Sequence, residues 1–248
     1  EIKMIKIGVV GALGKMGKEV VNAVINDENM QLVMAVDING MGTDAGIVAA
    51  GKETGVLVES DIEKAITDKK PNVVIDFTQP DGIFNHVSVY IKNNVKSVIG
   101  TTGLKSEQIT QLKQMSKENN TGCFIAPNFS TGAVLLMMFA KQASKYFKNA
   151  EIIELHHNQK KDAPSGTAIK TAQLMAEENP DFTFGNCPET ELIKGSKGGC
   201  SEANIHIHSV RMPGYIASQE VIFGASGQIF KMAHHSMNRT CYMDGVLM

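Results

Sequence analysis

Apolar residues in the first half of the chain alternate between two spacings. Short runs rich in β-branched residues favour the buried strands of a parallel sheet. These runs are 4–10, 31–36, 56–58, 73–78, 96–100 and 122–128. Between them, apolar residues recur every three or four positions, as in helices, from Lys15 onward and over 61–70, 81–93 and 105–119. This order predicts an α/β fold with a Rossmann-type, doubly wound parallel sheet, and Ser106 is a suitable N-cap for the last helix.

The second half has a different pattern. A helix is expected over 132–147 and another over 167–179. Longer strands joined by turns such as MPGY and GASGQ make up most of the rest. They are 151–155, 204–212, 216–224 and 227–235. The pattern predicts a smaller α+β domain with a mostly antiparallel or mixed sheet.

The composition is ordinary for a globular protein. Of the 248 residues, 43% are apolar and 20% are charged. The net charge of −2 favours neither nucleic acid nor an anionic membrane as a partner. No apolar run reaches the roughly 20 residues that a membrane helix needs. The N-terminal EIKMIKIGVVG is typical of a strand and a turn, not of a signal peptide, so we expect a cytoplasmic protein.

The glycine loop GALGKMG lies between the first predicted strand and the first predicted helix. Gly11, Gly14 and Gly17 follow a GxxGxxG spacing, which is weak evidence alone because the chain has 23 glycines. The position of the loop strengthens this evidence, since free amides at the start of a helix favour a pyrophosphate. Asp37 ends the second predicted strand, where a carboxylate accepts hydrogen bonds from the adenosine ribose. We therefore favour dinucleotide binding over a ligand-free βα turn.

Asp37 also affects the choice between the two nicotinamide dinucleotides. A carboxylate beside the ribose repels a 2′-phosphate, and the next residues, Ile38 and Asn39, offer no positive charge. We therefore expect NADH to be preferred over NADPH.

Two further loops follow predicted strands of the same sheet. They are IGTTG at 99–103 and APNFSTG at 126–132. Ligands of open α/β sheets lie outside the carboxyl ends of the strands, so these loops could contact a nicotinamide. Because Gly, Thr, Ser, Asn and Pro are common in any turn, the residues alone leave this open.

A fifteen-residue stretch, ELHHNQKKDAPSGTA, concentrates groups that carry protons or bind anions. A predicted strand ends near His156 and His157, and Lys160 follows in a loop. Ser165, Gly166 and Thr167 then begin a helix, whose free amides can bind a carboxylate. A histidine titrating near neutral pH can exchange a proton with a ligand bound there. We favour this catalytic interpretation over that of a polar loop before a capped helix.

The cysteine and histidine spacings do not favour a metal site. No two cysteines form a CxxC pair, so free thiols are expected. The cysteines are Cys123, Cys187, Cys200 and Cys241. His206 and His208 share one face of a strand, and the remaining histidine pairs are 156–157 and 234–235. None of these groups has a glutamate or cysteine at ligand spacing, so no metal is expected.

HHNQKKDAPSGTA resembles the signature loop of the dihydrodipicolinate reductases of lysine and diaminopimelate biosynthesis, also called 4-hydroxy-tetrahydrodipicolinate reductases. GALGKMG, GTTG and APNFSTG occur in the order and spacing of that family, so the resemblance covers essentially the whole chain. It implies an oxidoreductase that passes a hydride from NADH or NADPH to a small cyclic dicarboxylate, with loss of water overall. It also implies a homotetramer.

The resemblance carries roles to particular residues. His156 matches a proton donor and acceptor, and Lys160 matches a second proton donor. Substrate-binding positions are matched by His157, Gly166, Thr167 and Thr102. Cofactor-binding positions are matched by Gly11, Ala12, Leu13, Gly14, Lys15, Met16, Asp37, Gly100, Thr101, Thr102, Ala126, Pro127, Asn128 and Phe129. The expected division is a dinucleotide-binding domain at 1–127, a substrate-binding and oligomerisation domain at 128–235, and a segment at 236–248 returning to the first domain.

The chain departs from the family pattern at two places. Many relatives carry a basic residue where this chain has Ile38, which again disfavours NADPH. Relatives also run on past the segment matching 241–248, so the sequence is expected to be truncated there. There are two alternatives: a semialdehyde or phosphorylating aldehyde dehydrogenase, which needs a cysteine nucleophile in the active cleft, and a non-catalytic NAD(H) sensor. Cys123 lies in a predicted strand and Cys187 in a loop far from the histidine cluster, which disfavours the dehydrogenase.

Overall fold

The computed structural model describes residues 4–184 and 190–248. The chain forms two compact units. The first unit ends at Phe129 and also contains Met243–Met248, and the second unit is Ser130–Tyr242. The corresponding limits expected from the sequence were 127 and 235.

The first unit contains a six-stranded, wholly parallel sheet. Its strands are β1 (Ile5–Val10), β2 (Met30–Val36), β3 (Val58–Glu59), β4 (Val73–Asp76), β5 (Lys96–Ile99) and β6 (Cys123–Ile125). The strand order is β3-β2-β1-β4-β5-β6, that of a doubly wound dinucleotide-binding sheet, which confirms the predicted fold class. The order reverses between β1 and β4, so ligands are expected beyond the carboxyl ends of those two strands.

Helices cover the sheet of the first unit. They are α1 (Lys15–Asn26), α2 (Ala45–Ala50), α3 (Ile62–Lys69), α4 (Ile83–Lys92) and α5 (Ser106–Glu118). A core that includes Met34, Val74, Tyr90 and Ile99 is formed by strands β2, β4 and β5 with helix α4. Ser106 was expected to cap α5, and this prediction was wrong because Ser106 already lies in the helix.

The second unit contains a five-stranded mixed sheet, again as predicted. Its strands are β7 (Asn149–His156), β8 (Gly199–Cys200), β9 (His206–Arg211), β10 (Ala217–Ala225) and β11 (Gln228–Ser236), in the order β11-β10-β7-β9-β8. Among the described strands of this sheet, β7 and β9 are the one parallel pair, and this pairing places Arg211 beside His156.

Two helices pack on one face of that sheet. They are α6 (Thr131–Ala143), which continues as a 3₁₀ turn at Ser144–Tyr146, and α7 (Gly166–Glu178). Their apolar faces and the sheet enclose a core that includes Ile152, Met175, Val221 and Phe223. This packing holds the first turn of α7 against the end of β7.

The C-terminal segment divides between the units. A 3₁₀ helix at Arg239–Tyr242 belongs to the second unit, and α8 (Met243–Leu247) belongs to the first. Helix α8 packs on α1, with Met243 and Val246 buried. The return to the first unit therefore begins at Met243, later than the expected residue 236, because β11 extends to Ser236 and the turn that follows stays with its own sheet.

Candidate active site

The glycine loop leads from β1 directly into α1. Gly11 has a φ of 77°, and a Cβ there would overlap the carbonyl oxygen of Phe77. Only glycine fits this turn without strain. Gly14 is the N-cap of α1, and no side chain of the described residues caps this helix start. The first-turn amides and the helix dipole therefore favour an anion such as a pyrophosphate.

Asp37 lies just beyond the end of β2, beside the glycine loop. Its Oδ2 accepts a hydrogen bond from the Leu13 amide at 2.9 Å, and its Oδ1 accepts one from the Asn39 amide at 3.1 Å. Each oxygen keeps a lone pair for another donor, so the carboxylate can also receive two ribose hydroxyls.

A cavity of about 470 Å³ opens along this edge of the first unit. Its lining includes Gly11, Gly14, Asp37, Thr78 and His86. The volume is within the range of ligand pockets, and the lining has a glycine turn at its centre. Within the described part of the chain, the lining of this cavity includes neither lysine nor arginine.

A buried carboxylate organises the loops after β4 and β5. Asp76 is 0% exposed. It accepts hydrogen bonds from the hydroxyls of Thr78 (2.7 Å), Thr101 (3.2 Å) and Tyr90 (2.6 Å), and its Oδ2 lies 3.1 Å from Nδ1 of His86. Burial and the adjacent Asp76 raise the pKa of Tyr90 well above its ordinary value, so this phenol stays a donor. The loop residues of the first unit are thus fixed by one anion.

The loop after β6 is held by aromatic packing. The ring of Phe129 lies 5.9 Å from that of Phe77 and 6.0 Å from that of Phe124. The amide of Ala126 donates to the carbonyl of Ile99 at 3.2 Å. The segment 126–129 therefore lies at the carboxyl edge of the sheet, next to the segment 100–102 that follows β5.

In the second unit, a carboxylate and an imidazole meet at the end of β7. Glu154 and His156 are two positions apart in one strand and so share a face. His156 Nδ1 lies 2.5 Å from Glu154 Oε2. The side chain of Glu154 is buried, and that of His156 is only slightly exposed.

Arg211 and the start of α7 contact the same carboxylate. Arg211 donates from Nη2 to Glu154 Oε1 at 2.7 Å and from Nη1 to Oε2 at 2.9 Å. The amide of Ser165 donates to Oε1 at 3.2 Å. Arg211 also donates to the carbonyl of Asp162 at 2.8 Å, so one cluster joins β7, β9, the loop and α7.

Hydrogen bonds keep Glu154 ionised. Burial opposes its ionisation, but hydrogen bonds from His156, Arg211 and Ser209 outweigh burial and lower the pKa of Glu154 to about 2. Because an ionised carboxylate only accepts hydrogen bonds, Nδ1 of His156 must carry the proton of their contact. The Nε2 atom of His156 is then the ring nitrogen left to exchange a proton with a ligand.

Lys160 and the first turn of α7 complete this cluster. Lys160 Nζ lies 2.8 Å from both carboxylate oxygens of Asp162. The hydrogen bond from Lys160 lowers the pKa of Asp162 and so favours its carboxylate form. Ser165 is the N-cap of α7, and its Oγ accepts from the Ala168 amide at 3.2 Å. A Cβ on Gly166 would meet no atom within 4 Å, so the helix start is open to a ligand.

The predicted site residues fall into two groups. The cofactor set lies at the carboxyl edge of the first sheet: Gly11, Ala12, Leu13, Gly14, Lys15, Met16, Asp37, Gly100, Thr101, Thr102, Ala126, Pro127, Asn128 and Phe129. His156, His157, Lys160, Gly166 and Thr167 lie in the second unit, at the end of β7 and the start of α7. The roles assigned to all these residues stay predictions.

Three residues of the two clusters were not singled out from the sequence. Glu154 opens the fifteen-residue stretch, and its two-residue spacing from His156 is a signal that could have identified it. Asp76, at the end of a buried strand, offered a similar signal. Arg211 had none, because its place beside His156 depends on the pairing of β7 with β9.

Two other histidines have partners within the second unit. His208 Nε2 lies 2.8 Å from Glu151 Oε2, and Ser130 Oγ lies 3.1 Å from His234 Nε2. Over residues 4–184 and 190–248, no three His, Cys, Asp or Glu side chains are grouped to hold a metal ion. In the same ranges, every helix is too short or too polar to cross a membrane.

The cysteines bear on the semialdehyde dehydrogenase alternative. Cys123, Cys200 and Cys241 have free thiols, and Cys187 lies outside the described residues. Burial raises the pKa of the Cys123 thiol, although a hydrogen bond with Ser97 opposes this. A raised pKa disfavours the thiolate that such an enzyme needs.

Family models cover the chain almost from end to end. The model for the dihydrodipicolinate reductase N-terminus matches residues 5–129, and that for its C-terminus matches residues 132–248. The chain belongs to the dihydrodipicolinate reductase family. The family resemblance predicted from the loop motifs is thereby confirmed.

Individual members of the dihydrodipicolinate reductase family are similar over the same length. The 4-hydroxy-tetrahydrodipicolinate reductase of Gloeothece citriformis (strain PCC 7424) is 50% identical, in an alignment 250 positions long that covers 98% of this chain and 91% of the relative. That of Picosynechococcus sp. is 48% identical, in an alignment of 253 positions that covers 100% of this chain and 92% of the relative. The dipicolinate-bound dihydrodipicolinate reductase from Paenisporosarcina sp. TG-14 superimposes with a TM-score of 0.85 at 44% identity, covering 98% and 92% of the two chains.

Proposed function

We propose that this chain reduces 4-hydroxy-tetrahydrodipicolinate to tetrahydrodipicolinate, a step of lysine and diaminopimelate biosynthesis. In the balanced reaction the substrate takes up one hydride and one proton and loses one water, while the reduced dinucleotide is oxidised. The observation that carries the proposal is the 50% identity over 98% of this chain to a relative named for this activity.

The second unit supplies the acid–base groups of the reaction. Hydride uptake leaves negative charge on the substrate ring, which a nearby acid must neutralise. His156 takes the role of proton donor and acceptor through Nε2, since Nδ1 is engaged by Glu154 at 2.5 Å. Lys160 is the second proton donor, and its ammonium exchanges Asp162 for a substrate carboxylate. The short contacts of His156 with Glu154 and of Lys160 with Asp162 support these roles.

The substrate is a small dicarboxylate, and the start of α7 suits one of its carboxylates. The exposed Gly166, followed by Thr167, lies at the positive end of the helix dipole, where a carboxylate is favoured. His157 and Thr102 are the remaining substrate-binding residues of the proposal. The dipicolinate bound to the Paenisporosarcina homologue supports a ligand of this class.

The residues of the first unit fit a pyridine nucleotide. A bound reduced nicotinamide supplies the hydride. Gly11 to Met16 would hold the pyrophosphate at the start of α1, Asp37 would accept from the ribose, and the segments 100–102 and 126–129 would contact the nicotinamide. The glycine turn, which a Cβ would block, and the two lone pairs left on Asp37 support this assignment.

NADH is the preferred cofactor in this proposal, and NADPH the poorer one. The carboxylate of Asp37 repels a 2′-phosphate. Among the described residues that line the cavity, no lysine or arginine offsets this repulsion. Comparison of kcat/KM for the two cofactors tests this. Tenfold better use of NADPH would contradict it.

The same proposal includes a homotetramer in the cytoplasm, assembled through the second unit. Sedimentation equilibrium of the purified protein should give about four times the chain mass of 26.8 kDa. A mass that equals one chain at micromolar concentration rejects the tetramer.

A coupled assay tests the activity itself. The substrate is made in situ by the preceding synthase reaction, and loss of NADH is followed at 340 nm. Lys160→Ala should lose about 100-fold in kcat, because it removes a proton donor, while NADH still binds with unchanged affinity. Lys161→Ala is the matched control and should keep the wild-type rate.

The outcomes separate the alternatives. A wild-type protein that binds NADH without turnover supports the non-catalytic sensor and rejects the reductase. Cys123→Ser should leave the reductase rate intact, whereas a semialdehyde dehydrogenase with that nucleophile would become inactive.

A further inference from the structure

Glu154 is the most enclosed ionised side chain of the second unit's cluster, and the proposed reaction gives it no role. It is 0% exposed and has the low pKa, about 2, described above. An anion buried without partners is strongly destabilising, so its retention needs compensating contacts. Those contacts show what the carboxylate is arranged to hold.

Each oxygen of Glu154 accepts from two different donors. Oε2 lies 2.5 Å from Nδ1 of His156 and 2.9 Å from Nη1 of Arg211. Oε1 lies 2.7 Å from Nη2 of Arg211 and 3.2 Å from the amide of Ser165. A carboxylate has about four acceptor sites, so these contacts, together with the hydrogen bond from Ser209, use its full acceptor capacity. The bidentate Arg211 contact fixes the plane of the carboxylate, and that plane directs the other two contacts.

We propose that Glu154 is a positioning residue, which sets the proton-carrying tautomer of His156 and fixes the start of α7 relative to that ring. Glu154 accepts a hydrogen bond from the protonated Nδ1 of His156, so Nε2 is the ring nitrogen that exchanges a proton with the substrate. By accepting the Ser165 amide, it also ties the first turn of α7 to the imidazole. The proton donor His156 and the anion-binding start of α7 are then held in fixed relative positions by one rigid group. The inference rests on the proposed function of His156 and of the first turn of α7.

A second carboxylate–imidazole pair, formed between β7 and its neighbour β9, shows what is particular to Glu154. Glu151 lies on the opposite face of β7 and contacts Nε2 of His208 at 2.8 Å. Its side chain is 53% exposed. Glu154 instead contacts Nδ1, is enclosed, and reaches a helix start. Glu151→Gln is therefore a matched control in which an ordinary surface pair is removed from the same strand.

The first test reads the tautomer directly. Protein labelled with ¹⁵N-histidine is studied across the neutral pH range, and His156→Gln identifies the resonances of His156. Neutral His156 should carry its proton on Nδ1 in the wild type and in Glu151→Gln. In Glu154→Gln the population should shift to a mixture of tautomers, because an amide cannot accept from His156, Arg211 and Ser165 together. A wild-type His156 protonated on Nε2 overturns the inference.

The second test reads the rate. Glu154→Gln should lower kcat about 100-fold while the dissociation constant for NADH stays unchanged, since misplacement of a catalytic group by about 1 Å has that effect. Glu154→Asp, which keeps the charge on a shorter side chain, should recover part of the lost rate. Folding of the variants is checked by NADH binding and near-UV circular dichroism. If Glu154→Gln does not fold, the tautomer of His156 in the wild type tests the inference.

The two proposals fail differently. Wild-type kcat in a folded Glu154→Gln overturns the positioning role and leaves the reductase proposal intact. Absence of turnover in the wild type rejects the reductase proposal, and the tautomer of His156 then still tests what Glu154 does to the ring.

Discussion

At the scale of single residues, ionisation in the second unit is governed by hydrogen bonding and not by exposure. Glu154 is buried, yet its pKa falls from the ordinary 4.5 to about 2. Three side chains donate to it, and their combined effect exceeds the desolvation of the carboxylate. The folded state therefore prefers the ionised form more strongly than the unfolded state does.

This preference predicts an acid-dependent loss of stability. The contribution of Glu154 should be complete above about pH 5 and should disappear as the pH falls through 4.5 towards 2, with a total of about 3 kcal/mol. Urea unfolding of the wild type and Glu154→Gln at several pH values checks this. The difference in unfolding free energy should shrink over that range, and a difference that grows with acidification contradicts it. Glu151→Gln should follow the wild type.

Ile38 is the residue at which cofactor preference can be changed. Its side chain is 91% exposed and lines the cavity beside Asp37. Ile38→Arg should raise the ratio of kcat/KM for NADPH to that for NADH about tenfold, because the guanidinium pairs with a 2′-phosphate.

Ile193→Arg is the control for this change, since that isoleucine is 75% exposed and lies in the second unit. It should leave the ratio unchanged. An equal rise in both variants would show that added positive charge acts non-specifically.

At the scale of secondary-structure elements, single carboxylates join helices to the strands and loops around them. Asp76 at the end of β4 contacts Tyr90 and His86 of α4 and Thr101 after β5. Asp44 caps α2 and also accepts from the amides of Thr54 and Gly55. In both places one carboxylate replaces several backbone hydrogen bonds that the irregular loops cannot make for themselves.

Removal of the Asp76 charge should therefore destabilise the first unit. Asp76→Asn keeps the shape of the side chain, but its NH₂ group is itself a donor and cannot accept from the hydroxyls around it. We expect a loss of about 3 kcal/mol in unfolding free energy. Urea denaturation followed by circular dichroism measures it. Asp81→Asn, at an exposed position of the same loop, should change stability by less than about 0.5 kcal/mol. Equal stability of both variants would contradict the role of the cluster.

The strands and long helices of both units were predictable because their apolar spacing reflects burial on one or two faces. Helix α2 was not predicted, since six residues show little periodicity and its start depends on Asp44 contacting Thr54 ten positions away. The short strand β8 was missed for the same reason. The loop motifs indicated His156 and Lys160, but the partnership of Arg211 with Glu154 follows from strand pairing across 57 residues, which local sequence does not contain.

At the scale of the whole molecule, the first unit is built from two separated parts of the chain. Helix α8 covers α1, and Gly245 lies directly against the carbonyl of Phe129, where the chain leaves the first unit. A Cβ at residue 245 would overlap that carbonyl, so the contact depends on glycine. The departing and returning segments of the chain are thereby packed together inside the first unit.

Gly245→Ala should weaken this closure. The added methyl forces α8 away from Phe129, and we expect a loss of about 2 kcal/mol in unfolding free energy. Thermal and urea unfolding measure the effect. Gly224→Ala in β10, where a Cβ would meet no atom within 4 Å, is the control and should be near neutral. Equal effects of the two substitutions would mean that α8 does not need the close approach.

The interrupted first unit also has a consequence for synthesis on the ribosome. The strands of its sheet emerge early, but the helix that covers α1 is made only after residue 242. The second unit, which is inserted into the first, is complete before that point. The first unit therefore reaches its final packing after the second unit, the reverse of the usual order in which the N-terminal domain folds first. A nascent chain arrested before Met243 should thus expose apolar surface on α1 to chaperones, and protease protection of the first unit should rise only once α8 has left the exit tunnel.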